Sequence, residues 1–377
     1  MSNGSPSDGV GAAAGTAPRR RFRPQDGRQH NLALVTQALY DQPGLSRADL
    51  ARLTGLTRVT ISDLVAELLA DGLLVETGAS DEVRPGKRAT KLQVNDKSRT
   101  VLAVDLSGES AIVGAAYTLG GELRQRVERP LSKGDAALSE LLGVLRELLA
   151  TTAGKILGLG VGTPGTVEGD VVTAANLDWH FLDLRKAVAS VSDIPVEVEN
   201  DANLAAMAER RFAGGQDDLI RVQISRGVGA GLLLGGAAVT GSSGAAGEIG
   251  HVVIEHNGAP CSCGKRGCLE TWISVPALSG RIEADPGNRE QTLAEAGRRL
   301  GMALSPIIGM LDLVDVVVGG PNDLVEGAFL EAAQAMVTER IGIESRRPVR
   351  LRQSTLGEDA VLLGATALVL RNQLGVY

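Results

Sequence analysis

The chain of 377 residues is long enough for two or three domains and buries sizeable cores without disulfide bridges. Its 44% hydrophobic and 22% charged residues are typical of a globular protein and exclude a disordered or fibrous chain. The net charge of −7 argues against nucleic-acid binding along the whole length. The first 100 residues nevertheless carry a net +3 and the remainder −10, so any DNA contact belongs at the N-terminal end.

Residues 1–24 consist mostly of Gly, Ala, Ser and Pro, with a basic run at 19–23. This composition predicts a disordered tail. The run either contacts DNA phosphates or is simply solvated.

Three helices and two strands are predicted next, over residues 25–98. The first helix is expected from near Asn31, and the second from Ser46, where Asp49 completes a capping box, to the turn at Gly55. Thr57 can cap a third helix with a continuous apolar stripe. Short strands at 73–76 and 90–94 then flank a basic turn, which completes a winged helix-turn-helix.

The start of the third helix would enter the major groove of DNA. Arg58 suits guanine, Val59 a thymine methyl, and Thr57 and Ser62 suit phosphates or base edges. The wing residues Arg84, Lys87 and Arg88 suit the minor groove or the phosphates beside it. A protein–protein module of the same shape is the alternative.

From Val101 onward, strand patterns alternate with helix patterns. Strands are predicted at 101–106, 156–161, 196–199, 220–224 and 314–318, and helices near 136–150, 201–211 and 291–312. This order indicates an α/β protein with two lobes. The longest apolar stretch, 302–320, is interrupted by Asp312 and Asp315, and the start of the chain lacks a signal-peptide pattern. We therefore expect a cytoplasmic protein without membrane contact.

The most specific motif contains the three cysteines of the chain. Cys261, Cys263 and Cys268 follow His251 closely, and three thiolates with one imidazole complete a tetrahedral zinc shell. A closed shell leaves no position for water, so we expect a structural Zn²⁺ ion. Free buried cysteines are the alternative.

The chain resembles the ROK family of repressors, open reading frames and sugar kinases over about residues 30–377. The motifs that carry the resemblance are Glu248-x-Gly250-His251 and Cys261-x-Cys263-Gly264-x-x-Gly267-Cys268-x-Glu270, with support from stretches 160–165, 199–203 and 318–320. The resemblance implies a two-lobed, actin-like ATPase fold of the ribonuclease-H type with a sugar in the cleft. An N-terminal winged helix-turn-helix marks the family's regulators.

The resemblance also implies which residues surround the sugar: Gly165, Asn176, Asn200, Asp201, Glu248, His251 and Glu270. Carboxylates, amides and an imidazole are the fixed donors and acceptors that sugar hydroxyls require.

In the kinases of this family, the residue that matches Asp201 is the base that activates the sugar hydroxyl. They also need the phosphate loops Asp-x-Gly-Gly-Thr and Gly-Thr-Gly. Here the loops read Asp105–Leu106–Ser107–Gly108–Glu109 and Ser225–Arg226–Gly227, which place a carboxylate and bulky side chains where phosphate would bind. We therefore expect no enzyme activity and no catalytic residue.

The sequence thus predicts a sugar-responsive repressor of carbohydrate-related genes with an inactive kinase-like effector domain. The expected divisions are a tail at 1–24, a DNA-binding domain at 25–98 and a ROK domain at 99–377. Expected partners are operator DNA, a sugar or sugar phosphate, and further copies of the chain in a homodimer or homotetramer. The alternatives are an active sugar kinase with an added DNA-binding domain, and a regulator that responds to another metabolite or a protein.

Overall fold

The computed structural model describes residues 24–79, 90–108, 110–342 and 347–377. The predicted tail, except Pro24, lies outside these residues. The wing residues Arg84, Lys87 and Arg88 lie outside them as well, as does Glu109 of the first loop.

An N-terminal head contains three helices and one antiparallel strand pair: α1 (Pro24–Asp41), α2 (Arg47–Thr54), α3 (Arg58–Ala70), β1 (Leu74–Ala79) and β2 (Thr90–Val94). The predicted capping box is present, because the Ser46 hydroxyl accepts from the Asp49 N–H and the Asp49 carboxylate accepts from the Ser46 N–H at 2.9 Å. α2 ends at Gly55 with a left-handed φ of 71°, and Thr57 caps α3. These local interactions confirm the helix-turn-helix.

The first helix begins earlier than the apolar spacing predicts. α1 starts at Pro24 and not near Asn31. Proline is well suited to a first helical position, since the N–H it lacks would have no partner there. Residues 28–30 are exposed, so no apolar periodicity marks this part of the helix.

The first lobe contains a five-stranded sheet in the order β10-β6-β3-β4-β5 and a small sheet of β7, β8 and β9. Its elements are β3 (Arg99–Asp105), β4 (Ala111–Thr118), β5 (Leu123–Pro130), α4 (Gly134–Thr151), β6 (Lys155–Thr163), β7 (Thr166–Glu168), β8 (Val171–Ala174), β9 (Trp179–Asp183), α5 (Leu184–Ala189) and β10 (Val196–Asn200). Strands β3, β6 and β10 are parallel, so their carboxyl ends meet at one edge. α4 and α5 pack their apolar residues against the five-stranded sheet.

Helix α6 (Asp201–Phe212) leads into the second lobe, whose sheet has the order β13-β12-β11-β14-β15. Its elements are β11 (Leu219–Ile224), β12 (Val228–Leu234), β13 (Ala237–Ala238), α7 (Glu270–Ile273), α8 (Val275–Ala284), α9 (Arg289–Leu311), β14 (Asp315–Gly319), α10 (Asn322–Val325), α11 (Ala328–Ile341) and β15 (Arg350–Gln353). α9 and α11 pack against one face of this sheet. Neither α9 nor any other helix of the described residues is long and apolar enough to span a membrane.

α6 and the last helix, α12 (Ala360–Leu374), cross between the lobes at small residues. Gly364 lies so close to Leu204 of α6 that a Cβ there would overlap the Leu204 carbonyl. α12 also packs on β3 and β6 of the first lobe, and α6 on β11 and β12 of the second. The two helices therefore join the lobes.

The head shares its hydrophobic core with the rest of the molecule. Val35 and Leu64 of the head are buried in one cluster with Val101 of β3 and with Val369 and Val376 at the end of the chain. The core of the head is therefore continuous with the side chains of β3 and α12 that cover it.

Candidate functional site

An exposed face at the start of α3 carries the four residues predicted to read DNA: Thr57, Arg58, Val59 and Ser62. Ile61 and Leu64 point to the opposite, buried side. Val59 is 72% exposed, which leaves its apolar side chain free to meet a partner. The helix thus offers polar and apolar groups on one accessible surface.

Arg58 differs from the other arginines in the described helices of the head. These form ion pairs with carboxylates: Arg28 with Glu67, Arg47 with Glu76 and Arg52 with Asp49. Arg58 has no ion pair with any described residue. Its guanidinium is therefore available to bind an acceptor pair such as guanine O6 and N7.

A long loop between β13 and α7 carries the metal-ligating candidates. Within it, the Cys261 N–H donates to the Lys265 carbonyl at 2.9 Å and the Gly264 N–H to the Cys261 carbonyl at 3.0 Å, which closes a tight turn around Cys263. Gly264 takes a φ of +86° in that turn. At Gly267 a Cβ would overlap the Glu255 carbonyl, so a second glycine lets the loop fold back on itself.

The four predicted ligands come together in space. His251 Nδ1 lies 3.6 Å from Cys261 Sγ, Cys263 Sγ lies 3.6 Å from Cys268 Sγ, and all four ligand atoms lie within 4.8 Å of one another. A disulfide would need about 2.05 Å, whereas metal–sulfur bonds of about 2.3 Å in a tetrahedral shell separate two sulfurs by about 3.8 Å. The cluster therefore suits a metal ion.

His251 and Glu270 connect the cluster to the cleft. Because His251 Nδ1 faces Cys261, the other ring nitrogen points away, 3.8 Å from a Glu248 carboxylate oxygen. One oxygen of Glu270 lies 3.8 Å from Cys261 Sγ, and the other accepts the Val228 N–H at 3.1 Å. Glu270 thus binds the loop that precedes β12, which is the predicted second phosphate loop.

Other predicted sugar residues lie where β6 and β10 end and α6 begins. The Asn200 side chain caps α6 by accepting from the Ala202 N–H at 2.9 Å and donates to the Gly165 carbonyl at 3.0 Å. Gly165 has a φ of +83°, and a Cβ there would overlap the Thr173 carbonyl. Only glycine fits this position.

Asp201, in the first turn of α6, has an unusually high pKa. Burial, together with the neighbouring carboxyl of Asp105, raises its pKa to about 7. Asp105 is itself buried, and this burial raises its pKa. Its carboxylate accepts a hydrogen bond from the Ser107 N–H at 2.8 Å and another from the Ser107 hydroxyl at 2.7 Å. Two carboxyls this close do not readily ionise together.

The predicted sugar residues therefore form two groups. Gly165, Asn200 and Asp201 make up the first group, and Glu248, His251 and Glu270 the second. No hydrogen bond between described residues joins the two groups. Asn176 is exposed and makes no hydrogen bond with a described residue, so its role stays a prediction.

The sequence analysis missed a buried charge network beside Asp201. Glu209 of α6 is completely buried, lies 3.5 Å from Arg221 Nε, and accepts from Arg352 at 3.0 Å. A Cβ on Gly319 would lie 2.5 Å from the Arg221 guanidinium. Arg221 and Gln223 alternate with apolar residues in β11, and that alternation was the available signal for a polar face.

Comparison with known proteins identifies the family. The sequence model of the ROK family matches residues 101–372, and that of the MarR family matches residues 37–84. The chain belongs to the ROK family.

Two relatives and one solved structure illustrate the match. The xylose repressor of Caldicellulosiruptor bescii is 29% identical, over 92% of this chain and 97% of the relative. The glucokinase of Halalkalibacterium halodurans is 35% identical, over 73% of this chain and 96% of the relative. The crystal structure of a ROK family transcriptional regulator, a homolog of the E. coli Mlc protein, has a TM-score of 0.79 at 24% identity and covers 93% of this chain and 97% of its own. This likeness confirms the predicted two-lobed fold with an N-terminal head.

Arg58→Ala should weaken binding to the preferred DNA sequence by about 1–3 kcal/mol at one base position, because one bidentate contact is lost. Arg58→Lys is the matched control, since it keeps the charge and loses the planar fork. We expect it to keep the salt dependence of binding while losing the base preference. Equal operator affinity and base preference in the wild type and Arg58→Ala would show that Arg58 does not read DNA.

Asp201→Asn should remove a pH-dependent loss of stability. Because the pKa of Asp201 is raised from 3.8 to about 7, the folded protein holds a proton that the unfolded chain has lost, and its stability falls as pH rises through that range. The Tm of the variant relative to wild type should therefore increase between about pH 4 and 7 and change little above that range. Asp193→Asn, at an exposed acid, is the control. A Tm difference that stays constant with pH would contradict the assignment.

Proposed function

We propose that this protein is a sugar-responsive transcriptional repressor whose head reads an operator and whose ROK domain binds the effector. The observation that carries the proposal is the exposed face of α3, whose Arg58 forms no ion pair within the described part of the chain, attached to a ROK domain. The comparisons support it, because the alignment with the xylose repressor extends over 92% of the chain, whereas that with the glucokinase extends over 73%.

A sugar is the effector class that the two residue groups support. Asn200 and Asp201 on one side, and Glu248, His251 and Glu270 on the other, offer an amide, three carboxyls and an imidazole for hydroxyl groups. Since several relatives are named xylose repressors, D-xylose is the first candidate.

ATP is a poor ligand for this cleft, which argues against the kinase alternative. Ser107 stands at a Gly position of the first phosphate loop, and Ser225–Arg226 stand where the second loop has Gly and Thr. Backbone N–H groups in two such loops are what a kinase would use to hold phosphates, and bulkier side chains hinder that approach. The Glu109 carboxylate, at the Thr position of the first loop, would also repel phosphate oxygens.

We assign the metal cluster to a structural Zn²⁺ ion held by His251, Cys261, Cys263 and Cys268. A zinc ion in this closed shell would cross-link His251 to the turn that carries the three cysteines. The Lys265 N–H lowers the pKa of the Cys263 thiol, which favours the thiolate form that binds metal. With Nδ1 directed at the cluster, the proton of His251 resides on Nε2, where it can donate to Glu248 or to a sugar hydroxyl.

The divisions at 1–24, 25–98 and 99–377, the homodimer or homotetramer and the cytoplasmic location remain predictions. A dimer is the arrangement in which helix-turn-helix proteins read two half-sites of a pseudo-palindromic operator. Size-exclusion chromatography with light scattering would determine the assembly.

The purified protein should show no sugar-dependent ATP consumption, because both phosphate loops lack the Gly and Thr residues that the kinases need. A coupled assay with D-xylose and D-glucose measures this directly. Turnover of about 1–100 per second, the ordinary range of kinases, would establish the alternative.

Cys263→Ser should release the metal and abolish the sugar response, because the loop that positions His251 and Glu270 loses its cross-link. Metal content, sugar affinity and operator affinity would be measured on the same preparation. Ser262→Ala, in the same turn but outside the predicted shell, should behave as wild type. Normal sugar affinity in metal-free Cys263→Ser would refute the coupling between the metal and the sugar site.

A further inference from the structure

Helix α6 has predicted ligand groups at one end and contacts with the head at the other. Asn200 and Asp201 lie at its start, and Arg211 and Phe212 at its end. A helix of 12 residues is about 18 Å long, so these groups are too far apart to interact directly. Any influence of the ligand on the head through α6 requires the helix to move.

Arg211 stacks on Tyr40 of helix α1. The guanidinium carbon lies 4.6 Å from the centre of the Tyr40 ring and 5.6 Å from that of Phe212. Arg211 Nε and the Tyr40 hydroxyl are buried and have no hydrogen-bond partner among the described residues. The stacking of two planar groups, assisted by the nearby charges of Asp41 and Asp96, therefore connects α6 to α1.

Space for movement exists beside this pair. A pocket of about 170 Å³, open to solvent, is lined by Tyr40, Pro43 and Gln93 of the head, by Gly120 of the first lobe and by Arg211. The stacked groups therefore border open space on one side, into which they can shift without overlap.

Besides the core that it shares with β3 and α12, the head has two contacts that lead to different lobes. At the end of α3, Asp71 pairs with Arg99 of β3, and with Lys155 of β6 at 3.1 Å, both in the first lobe. α6 is instead tied to the second lobe through buried Glu209 and its partner Arg352. A displacement of one lobe relative to the other therefore acts on α1 through Arg211, while the end of α3 stays with the first lobe.

We infer that the stack of Arg211 on Tyr40 transmits effector binding to the DNA-reading face. This inference rests on the proposed sugar-responsive function. A sugar bound between the two residue groups draws the second lobe toward Asn200 and Asp201, and the end of α6 follows the second lobe because Glu209 ties it to Arg352. Its last turn then displaces α1, and the reading face changes its orientation relative to the first lobe. Because coupling is reciprocal, operator DNA changes the affinity for the sugar by the same factor.

The test measures operator affinity with and without D-xylose, and D-xylose affinity with and without operator DNA. In the wild type each affinity should change by about 5- to 150-fold. In Arg211→Met and in Tyr40→Leu, the effect of D-xylose on operator affinity and the effect of operator DNA on D-xylose affinity should both be smaller than in the wild type, by about 2- to 30-fold. The affinity for each ligand alone should stay near wild type. Tyr40→Phe keeps the ring and loses only a hydroxyl without a partner, so it should retain the full coupling.

Arg210→Met is the matched control. It makes the same change on the neighbouring residue, whose side chain pairs with Asp217 of the second lobe and not with the head. Reduced coupling in Arg211→Met and Tyr40→Leu, with full coupling in Arg210→Met, supports the inference. Full coupling in both stack variants overturns it and leaves the proposed function intact. A wild-type protein whose operator affinity responds to no sugar in a panel that includes D-xylose overturns both.

Discussion

The close crossing of α6 and α12 is the contact on which the rest of the structure depends. At Gly364 the two helix backbones touch without an intervening side chain, and each helix also packs on the sheet of a different lobe. α6 presents Asn200 and Asp201 to the cleft, and the end of α12 packs into the head. One helix pair therefore positions the predicted sugar residues and supports the head that carries the predicted DNA-reading face.

The two predicted phosphate loops depart from those of the family's kinases in neighbouring side chains and not in their acids. Asp105 accepts the Ser107 N–H and Glu270 accepts the Val228 N–H, and both acids match motifs of the family. The departures are Ser107, Glu109 and Ser225–Arg226, where the kinases have Gly and Thr. The predicted sugar residues are thus retained in a chain whose loop sequences differ from those of the kinases.

Local signals allowed most of the head and the metal cluster to be predicted from the sequence. Ser46, Gly55 and Thr57 act within a few residues, and the cysteines lie within one short loop. The hairpin of β4 and β5 was not predicted, since the exposed β5 has no apolar alternation. The network of Glu209 with Arg352 joins residues far apart in sequence, and the same is true of the stack of Arg211 on Tyr40. Only the tertiary fold brings these residues together.

The core that the head shares with Val369 and Val376 has a consequence for synthesis on the ribosome. The head is translated early, but the side chains that complete its core are translated only after both lobes. A chain that ends before the last helix therefore lacks the α12 side chains that cover this part of the core, and it leaves apolar surface of the head exposed.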